Sequence, residues 1–180
     1  MKIGVYCASS TAVSQENIEL GFEVGKAIAI AGHELVWGGG AISVMGAVAR
    51  GARSVGGITT GVIPHRLISV EFLDREASQM HVVADMRERK AMIEEISDSF
   101  ITLPGGIGTL EEFFEIWVSK YLGFHNKQIA VLDPYKTYDS LRTALDDLTR
   151  LNFMKPGQHE LVNWCSSIEE ALLIATLGEM

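Results

Sequence analysis

Only two of the 180 residues are cysteines, Cys7 and Cys165, far apart and without metal-ligand spacing. That argues against a disulfide framework and against a zinc site. Positive charge is also scarce: 15 Lys and Arg stand against 23 Asp and Glu, a formal net charge of -8. Such a chain has no general field with which to grip nucleic acid, so no nucleic-acid partner is expected and any phosphate must be held by a local site. No apolar run reaches membrane-spanning length. The opening MKIGVYCASS lacks the cleavage site and long apolar core of a signal peptide. No membrane partner is therefore expected, and the expected location is cytoplasmic. There is no internal repeat, low-complexity tract or linker. No histidine is spaced to activate Cys7 or the nearby serines.

What is present is a composition of 47% hydrophobic and 21% charged residues, that of a globular protein, over a length that suits one domain spanning 1–180. Short apolar, β-rich runs alternate with longer amphipathic stretches. Strands are predicted at Ile3–Tyr6, Glu34–Trp37, Gly57–Ile63, Met80–Ala84, Phe100–Leu103 and Gln128–Leu132. Helices are predicted at Gln15–Ile30 with Ser14 as N-cap, at Ser43–Arg53, from a cap at Asp85 to about Asp98, and at Thr109–Leu122, Tyr138–Leu151 and Ser167–Leu177. The stretch from His65 to Gln79 is mixed, a short helix and a loop. Near-continuous apolar runs such as FITL and IAVL suit strands buried on both faces. The alternation predicts an α/β fold, a Rossmann-like doubly wound parallel sheet with helices on both faces. The usual order of such sheets sets strands one and four side by side at a switch point, and ligands bind there, outside the carboxyl ends of the strands.

Four segments are expected at that edge: Cys7-Ala8-Ser9-Ser10, Gly38-Gly39-Gly40, Asp85 to Lys90, and Pro104 to Glu112. In the last, Gly105, Gly106 and Gly108 let the backbone turn tightly and approach a ligand. The N–H groups at the following helix start can cradle a phosphate, and Thr109 adds a hydroxyl. A bare strand-to-helix turn would explain the same glycines, but the second cluster after another strand favours a ligand. No lysine follows Gly108-Thr109, so this is not a Walker loop, and the dinucleotide fingerprint belongs after the first strand. Arg87-Glu88-Arg89-Lys90 puts cations in the first turns of a helix, against its dipole. Solvent exposure accounts for them, yet cations at the mouth of a parallel sheet suit a bound anion. Glu111 and Glu112 fall in the first turn of the next helix, where dipole complementarity explains them. Beside a phosphate loop, a carboxylate would also stabilise the oxocarbenium-like charge that forms when a base leaves a ribosyl group. Ser9 and Ser10 can bond a ligand or cap a helix. Cys7 reads as a small buried apolar residue, Met45 and Met86 as core, and His65, His125 and His159 as solvated loop residues.

Met86-Arg87-Glu88-Arg89-Lys90 together with Pro104-Gly105-Gly106-Ile107-Gly108-Thr109-Leu110-Glu111-Glu112 resembles the paired signature of the Lonely Guy family. These are cytokinin riboside 5′-monophosphate phosphoribohydrolases, many of them labelled lysine decarboxylases by mistake. The strings Cys7-Ala8-Ser9-Ser10, Gly38-Gly39-Gly40 with Met45-Gly46, and Gly61-Val62-Ile63-Pro64 fall where the family has similar ones, so the resemblance covers nearly the whole chain. It implies a hydrolase without metal or other cofactor, acting on purine nucleoside 5′-monophosphates, usually adenine-based and often N6-modified, and assembling as a homodimer. It matches Arg89 and Glu111 to the catalytic pair. It matches Glu71, Lys90 and the loop Gly105, Gly106, Ile107, Gly108 and Thr109 to substrate binding, with Glu112 ending the motif. Ser9, Ser10, Gly39 and Gly40 complete the candidate binding set. Ala8, Ser43 and Ile107 depart from the common Gly, Gly and Tyr, which bears on base preference. A non-catalytic carrier of a nucleotide or phosphorylated cofactor on the same fold is the alternative; it could keep the glycines without the Arg89–Glu111 pair. An amino-acid decarboxylase would need pyridoxal phosphate and a Schiff-base lysine, and no lysine stands out for that role.

Overall fold

The computed structural model describes residues 1–177. Its seven strands are β1 (Lys2–Tyr6), β2 (Glu34–Trp37), β3 (Thr59–Pro64), β4 (Gln79–Val83), β5 (Ser99–Thr102), β6 (Gln128–Leu132) and β7 (Asn163–Cys165). They form one parallel sheet in the order β4-β3-β2-β1-β5-β6-β7. The helices are α1 (Gln15–Ile30), α2 (Ser43–Ser54), α3 (Met86–Ile96), α4 (Ile107–Tyr121), α5 (Asp139–Arg150) and α6 (Ile168–Thr176). The predicted fold class is the one observed, with helices on both faces.

The strand order corrects one expectation. β4 lies at an edge beside β3, and β1 takes β5 as its second neighbour, Ile3 opposite Ser99 and Tyr6 opposite Thr102. After β3 the chain moves outward once more, through residues 65–78, before α3 carries it back across the sheet to β5. The switch point therefore falls between β1 and β5. Hydrophobic periodicity marks a strand but not the edge it joins. Three-residue β7 carries too short a pattern to be read from sequence at all.

Both sheet faces are covered. Leu20, Val24 and Ile28 of α1, Val44 and Val48 of α2, and Ala171 and Ala175 of α6 pack with Ile3, Val5, Leu35, Trp37 and Ile101 on one side. Ile93 of α3, Phe113, Ile116 and Trp117 of α4 and Leu145 of α5 pack with Val36, Val62, Phe100 and Ile129 on the other. Helices α1 and α2 approach so closely that a Cβ on Gly25 would fall 1.9 Å from the Val48 carbonyl oxygen. The Ala- and Gly-rich α2 thus has a packing reason for its composition.

Candidate active site

The switch point opens a cleft of about 550 Å³ between the segment after β1 and the segment after β5. Cys7 to Ser10 form one wall, and Pro104 to Thr109 with Glu111 and Glu112 form the other. Leu67 and Glu71 come from the connection after β3, Met86 and Arg89 from α3, Met45 from α2, and Thr137 from the loop before α5.

The two helix starts at this edge differ. At α3, Asp85 Oδ1 accepts from the N–H groups of Arg87 (2.8 Å) and Glu88 (3.0 Å), and the Glu88 carboxylate reaches back to the Ala84 N–H (2.7 Å). These bonds hold the Asp85 carboxyl below its ordinary pKa. At α4 the N-cap is Gly106, which has no side chain with which to cap, and the first intrahelical bond runs from Leu110 N–H to the Gly106 carbonyl (3.0 Å). The N–H groups of Ile107, Gly108 and Thr109 precede that bond, so they form the positive end of the helix dipole, with Ile107 and Gly108 exposed. A Cβ placed on Gly106 or Gly108 would meet no protein atom within 4 Å. The loop surface is open to a ligand, and of the two helix starts only α4 is free to hold an anion.

Beside it lies a buried cation. Arg89 is 3% exposed and its Nη1 stands 3.3 Å from Glu71 Oε2. The sulfurs of Met45 and Met86 each lie 3.8 Å from the guanidinium; Met45 belongs to the buried core, as its sequence suggests, whereas Met86 is 40% exposed on the cleft wall and is not core. Arg89 Nε makes no hydrogen bond among the described residues. The guanidinium packs over Gly38 at the end of β2, where a Cβ would sit 1.7 Å from Nη2. Glu71 is itself nearly buried in the loop that follows β3. Its carbonyl accepts from Ala41 N–H (3.1 Å), and the next residue, Phe72, has φ +50°, a left-handed conformation that aromatic residues seldom adopt. Burial raises the Glu71 carboxyl pKa, and Arg89 opposes the rise.

The two adjacent glutamates of α4 part company. Because the helix starts at Ile107 and not at Thr109, both lie beyond its first turn, which contains no acid. Dipole complementarity, which falls off within one turn, does not explain them. Glu111 is 54% exposed at its side chain and is bound by Lys90 Nζ, which also reaches Glu115 Oε2 (3.0 Å). Glu112 is partly buried on the cleft wall. Burial pushes its carboxyl up to about 7; Arg89 opposes this, and the charges of Glu111 and Glu71 add to it. Cys7, also buried on the wall, has a thiol pushed upward by burial and by Glu112, which makes it a poor nucleophile.

Comparison with known proteins bears on the same residues. A family model described as "Possible lysine decarboxylase" matches residues 45–174. The cytokinin riboside 5′-monophosphate phosphoribohydrolase of Mycobacterium tuberculosis is 45% identical over 94% of this chain and 90% of its own length. That of Mycobacterium marinum is 43% identical over 98% and 94%, and that of Rhodococcoides fascians 35% over 94% and 86%. The chain belongs to the Lonely Guy family of phosphoribohydrolases. It is thus an enzyme of the class that hydrolyses N-glycosyl bonds. Among solved structures, the Moco carrier protein of Chlamydomonas reinhardtii superposes with TM-score 0.72 at 22% identity, covering 99% of this chain and 98% of that one. The molybdenum cofactor binding protein of Rippkaea orientalis gives 0.69 at 21%, covering 95% and 92%. At those identities the likeness is one of fold.

For this Lonely Guy chain the structure gathers most of the candidate residues into one cleft and sets a few apart. Ser9, Ser10, Glu71, Arg89, Gly105, Gly106, Ile107, Gly108, Thr109, Glu111 and Glu112 all line it. Gly39 and Gly40 do not. A Cβ on Gly39 would press on Met80 and Ile63, and one on Gly40 on Met45 and Glu71, so their part is to let the loop pack. Lys90 is drawn to Glu111 and Glu115 and is not part of the lining. Of the expected catalytic pair, Arg89 forms its ion pair with Glu71 and Glu111 forms its own with Lys90. Gly38, which makes room for Arg89, is missing from the sequence-level set, although its place in a glycine run after a strand was the available signal. Ser14 caps α1 only by backbone; its Oγ accepts from Asn17 instead. His125 and His159 are half-buried, bonded to the Ile116 carbonyl (3.0 Å) and the Thr149 hydroxyl (2.6 Å), and are not solvated loop residues.

Proposed function

We propose that this enzyme hydrolyses the N-glycosidic bond of adenine-type nucleoside 5′-monophosphates, N6-modified ones included, releasing the free base and ribose 5-phosphate. The observation that carries the reading is the meeting, in one cleft, of the open α4 start, the buried Arg89 and a Glu112 carboxyl with a pKa of about 7. The relatives' names support the substrate class.

In this reading the 5′-phosphate sits on the N–H groups of Ile107, Gly108 and Thr109, with Ser9 and Ser10 opposite. Arg89 completes the anion site. As the C1′–N bond stretches, its electron pair leaves with the base and positive charge grows on the ribose. The carboxylate of Glu112 stabilises that charge. Water then bonds to C1′, its proton passes to Glu112, and the same group hands the proton to the departing base nitrogen. A carboxyl titrating near neutrality suits both halves of that exchange. Glu112, not Glu111, is therefore the catalytic carboxylate we assign; Glu111 is largely exposed and already neutralised by Lys90. Ile107, 88% exposed at the cleft mouth, and Met86 offer an apolar rim to an N6 substituent.

Among the described residues no helix is long and apolar enough to cross a membrane. Assembly as a homodimer belongs to the same reading. An apolar groove of about 330 Å³ between α4 and α5, lined by Val118, Tyr121, Leu141 and Leu148 among others, is the surface we assign to a second copy. Incubation with AMP and with isopentenyl-AMP, followed by chromatography of the free base, tests the reaction. Release of adenine or its N6-modified form with equimolar ribose 5-phosphate is the expected result. Binding of both nucleotides without release would leave a carrier in place of an enzyme.

A further inference from the structure

The glycine turn after β5 is held from outside by a residue distant in sequence. Tyr138, the N-cap of α5, is 4% exposed, and its hydroxyl accepts from the Gly105 N–H at 2.7 Å. The same hydroxyl lies 3.2 Å from the Leu103 carbonyl and 3.1 Å from that of Gly105, so its one proton has an acceptor on either side of Pro104. Tyr138 is itself pinned. Asp133 Oδ2 accepts from the Tyr138 N–H (2.8 Å), Asp133 Oδ1 from the Thr137 N–H (2.9 Å), and the Asp133 N–H donates to Cys165 in β7 (3.0 Å). Its ring meets Trp164 edge-on at 6.2 Å.

We propose that Tyr138 is a positioning residue for the phosphate cradle: its hydroxyl consumes the Gly105 N–H and fixes the turn, so that the N–H groups of residues 107–109 are held facing the anion. This rests on the function proposed above. Among the described residues no hydrogen bond joins one residue of the turn to another; Gly105 is half-buried, and the tyrosine hydroxyl meets the chain on both sides of Pro104. Preorganised donors act strongly because they need not reorient when charge arrives. Loosening one hydrogen bond of the frame should weaken recognition of the phosphate and spare the rest of the substrate.

The test compares Tyr138→Phe with the wild type on AMP and on adenosine. The ring and its contact with Trp164 remain, and only the hydroxyl goes. Its loss should raise KM for AMP, with kcat less affected, and shrink the preference for AMP over adenosine by roughly three- to tenfold. A purely structural role would lower stability and leave that preference unchanged, and such a result overturns the proposal. If the wild type itself shows no preference for AMP, the phosphate cradle fails and not merely the tyrosine's part in it. A second measurement needs no variant. In wild-type protein the Gly105 amide should exchange slowly with solvent in the free state, and those of 107–109 should become slow only when AMP or ribose 5-phosphate is added. Rapid exchange at Gly105 in the free state would also overturn the proposal.

Discussion

Arg89 packs on Gly38 with no room for even one methyl group, since a Cβ there would stand 1.7 Å from Nη2 and 2.8 Å from Cζ. Gly38 has no unusual φ, so alanine fits its backbone. The glycine is there for the arginine. Gly38→Ala should therefore push the guanidinium aside and lower kcat on the order of a hundredfold, the cost typical of a displacement near 1 Å in a preorganised site. Steady-state kinetics with AMP, beside a thermal melt showing the variant folded, checks it. Near-wild-type turnover would mean that Arg89 is not needed where it lies.

The two neighbouring glutamates should behave differently. Glu112→Gln removes the charge that we set against the oxocarbenium ion and should lower kcat by roughly a hundred- to a thousandfold, with nucleotide affinity changed only a few-fold. Glu111→Gln loses an exposed ion pair with Lys90, a contribution of at most about 1 kcal/mol, and should cost less than about fivefold. Single-turnover rates and separately measured affinities decide between them. A reversed order of effects would return the chemistry to Glu111.

The pH dependence follows from the direction of the Glu112 shift. Its ionised form gains population as pH rises through about 7, so kcat/KM should fall on the acid side of that value. The limb should vanish in whatever activity Glu112→Gln retains. For stability the sign is opposite. A carboxyl whose pKa is higher in the folded state than in the unfolded chain favours folding at acid pH, and that contribution is lost as pH rises through about 7. Relative to wild type, Glu112→Gln should be more stable at pH 8 than at pH 5. Parallel melts at the two pH values measure this, and equal differences would contradict the buried acid.

Gly108→Ala separates fold from ligand. The added Cβ meets nothing in the protein, so stability should be unchanged or raised by less than about 1 kcal/mol, as for alanine replacing glycine in a helix. If a phosphate rests on this turn, the methyl group obstructs it, and KM for AMP should rise about tenfold or more, equivalent to about 1.4 kcal/mol. Unaltered KM would move the phosphate elsewhere.

The proposed dimer is tested at Val118, which is 52% exposed on α4 and lines the apolar groove. Light scattering should give twice the 19.7 kDa of one chain for the wild type, and Val118→Glu should shift it to one. A wild type that is monomeric at working concentration removes the second copy from the groove.

The fold class was legible in the sequence because its cause is local. Apolar runs of strand length alternate with helical periods, and such a pattern has few ways to bury its faces. The location of the cleft was legible in part for the same reason, since glycines and serines directly after strands must lie at the carboxyl edge. The neighbour of β1 was not legible, because a strand's pattern is the same at an edge as at the centre. Nor was the pairing of charges. Arg89 and Lys90 are adjacent in sequence, yet a helix turns successive side chains about 100° apart, one to buried Glu71 and the other to exposed Glu111. The same rotation separates Glu111 from Glu112. By itself the sequence determined which chemical groups reach the edge of the sheet. Tertiary structure alone decided which carboxyl is buried on the cleft wall, because burial depends on the faces that α3 and α4 turn toward each other across the switch point.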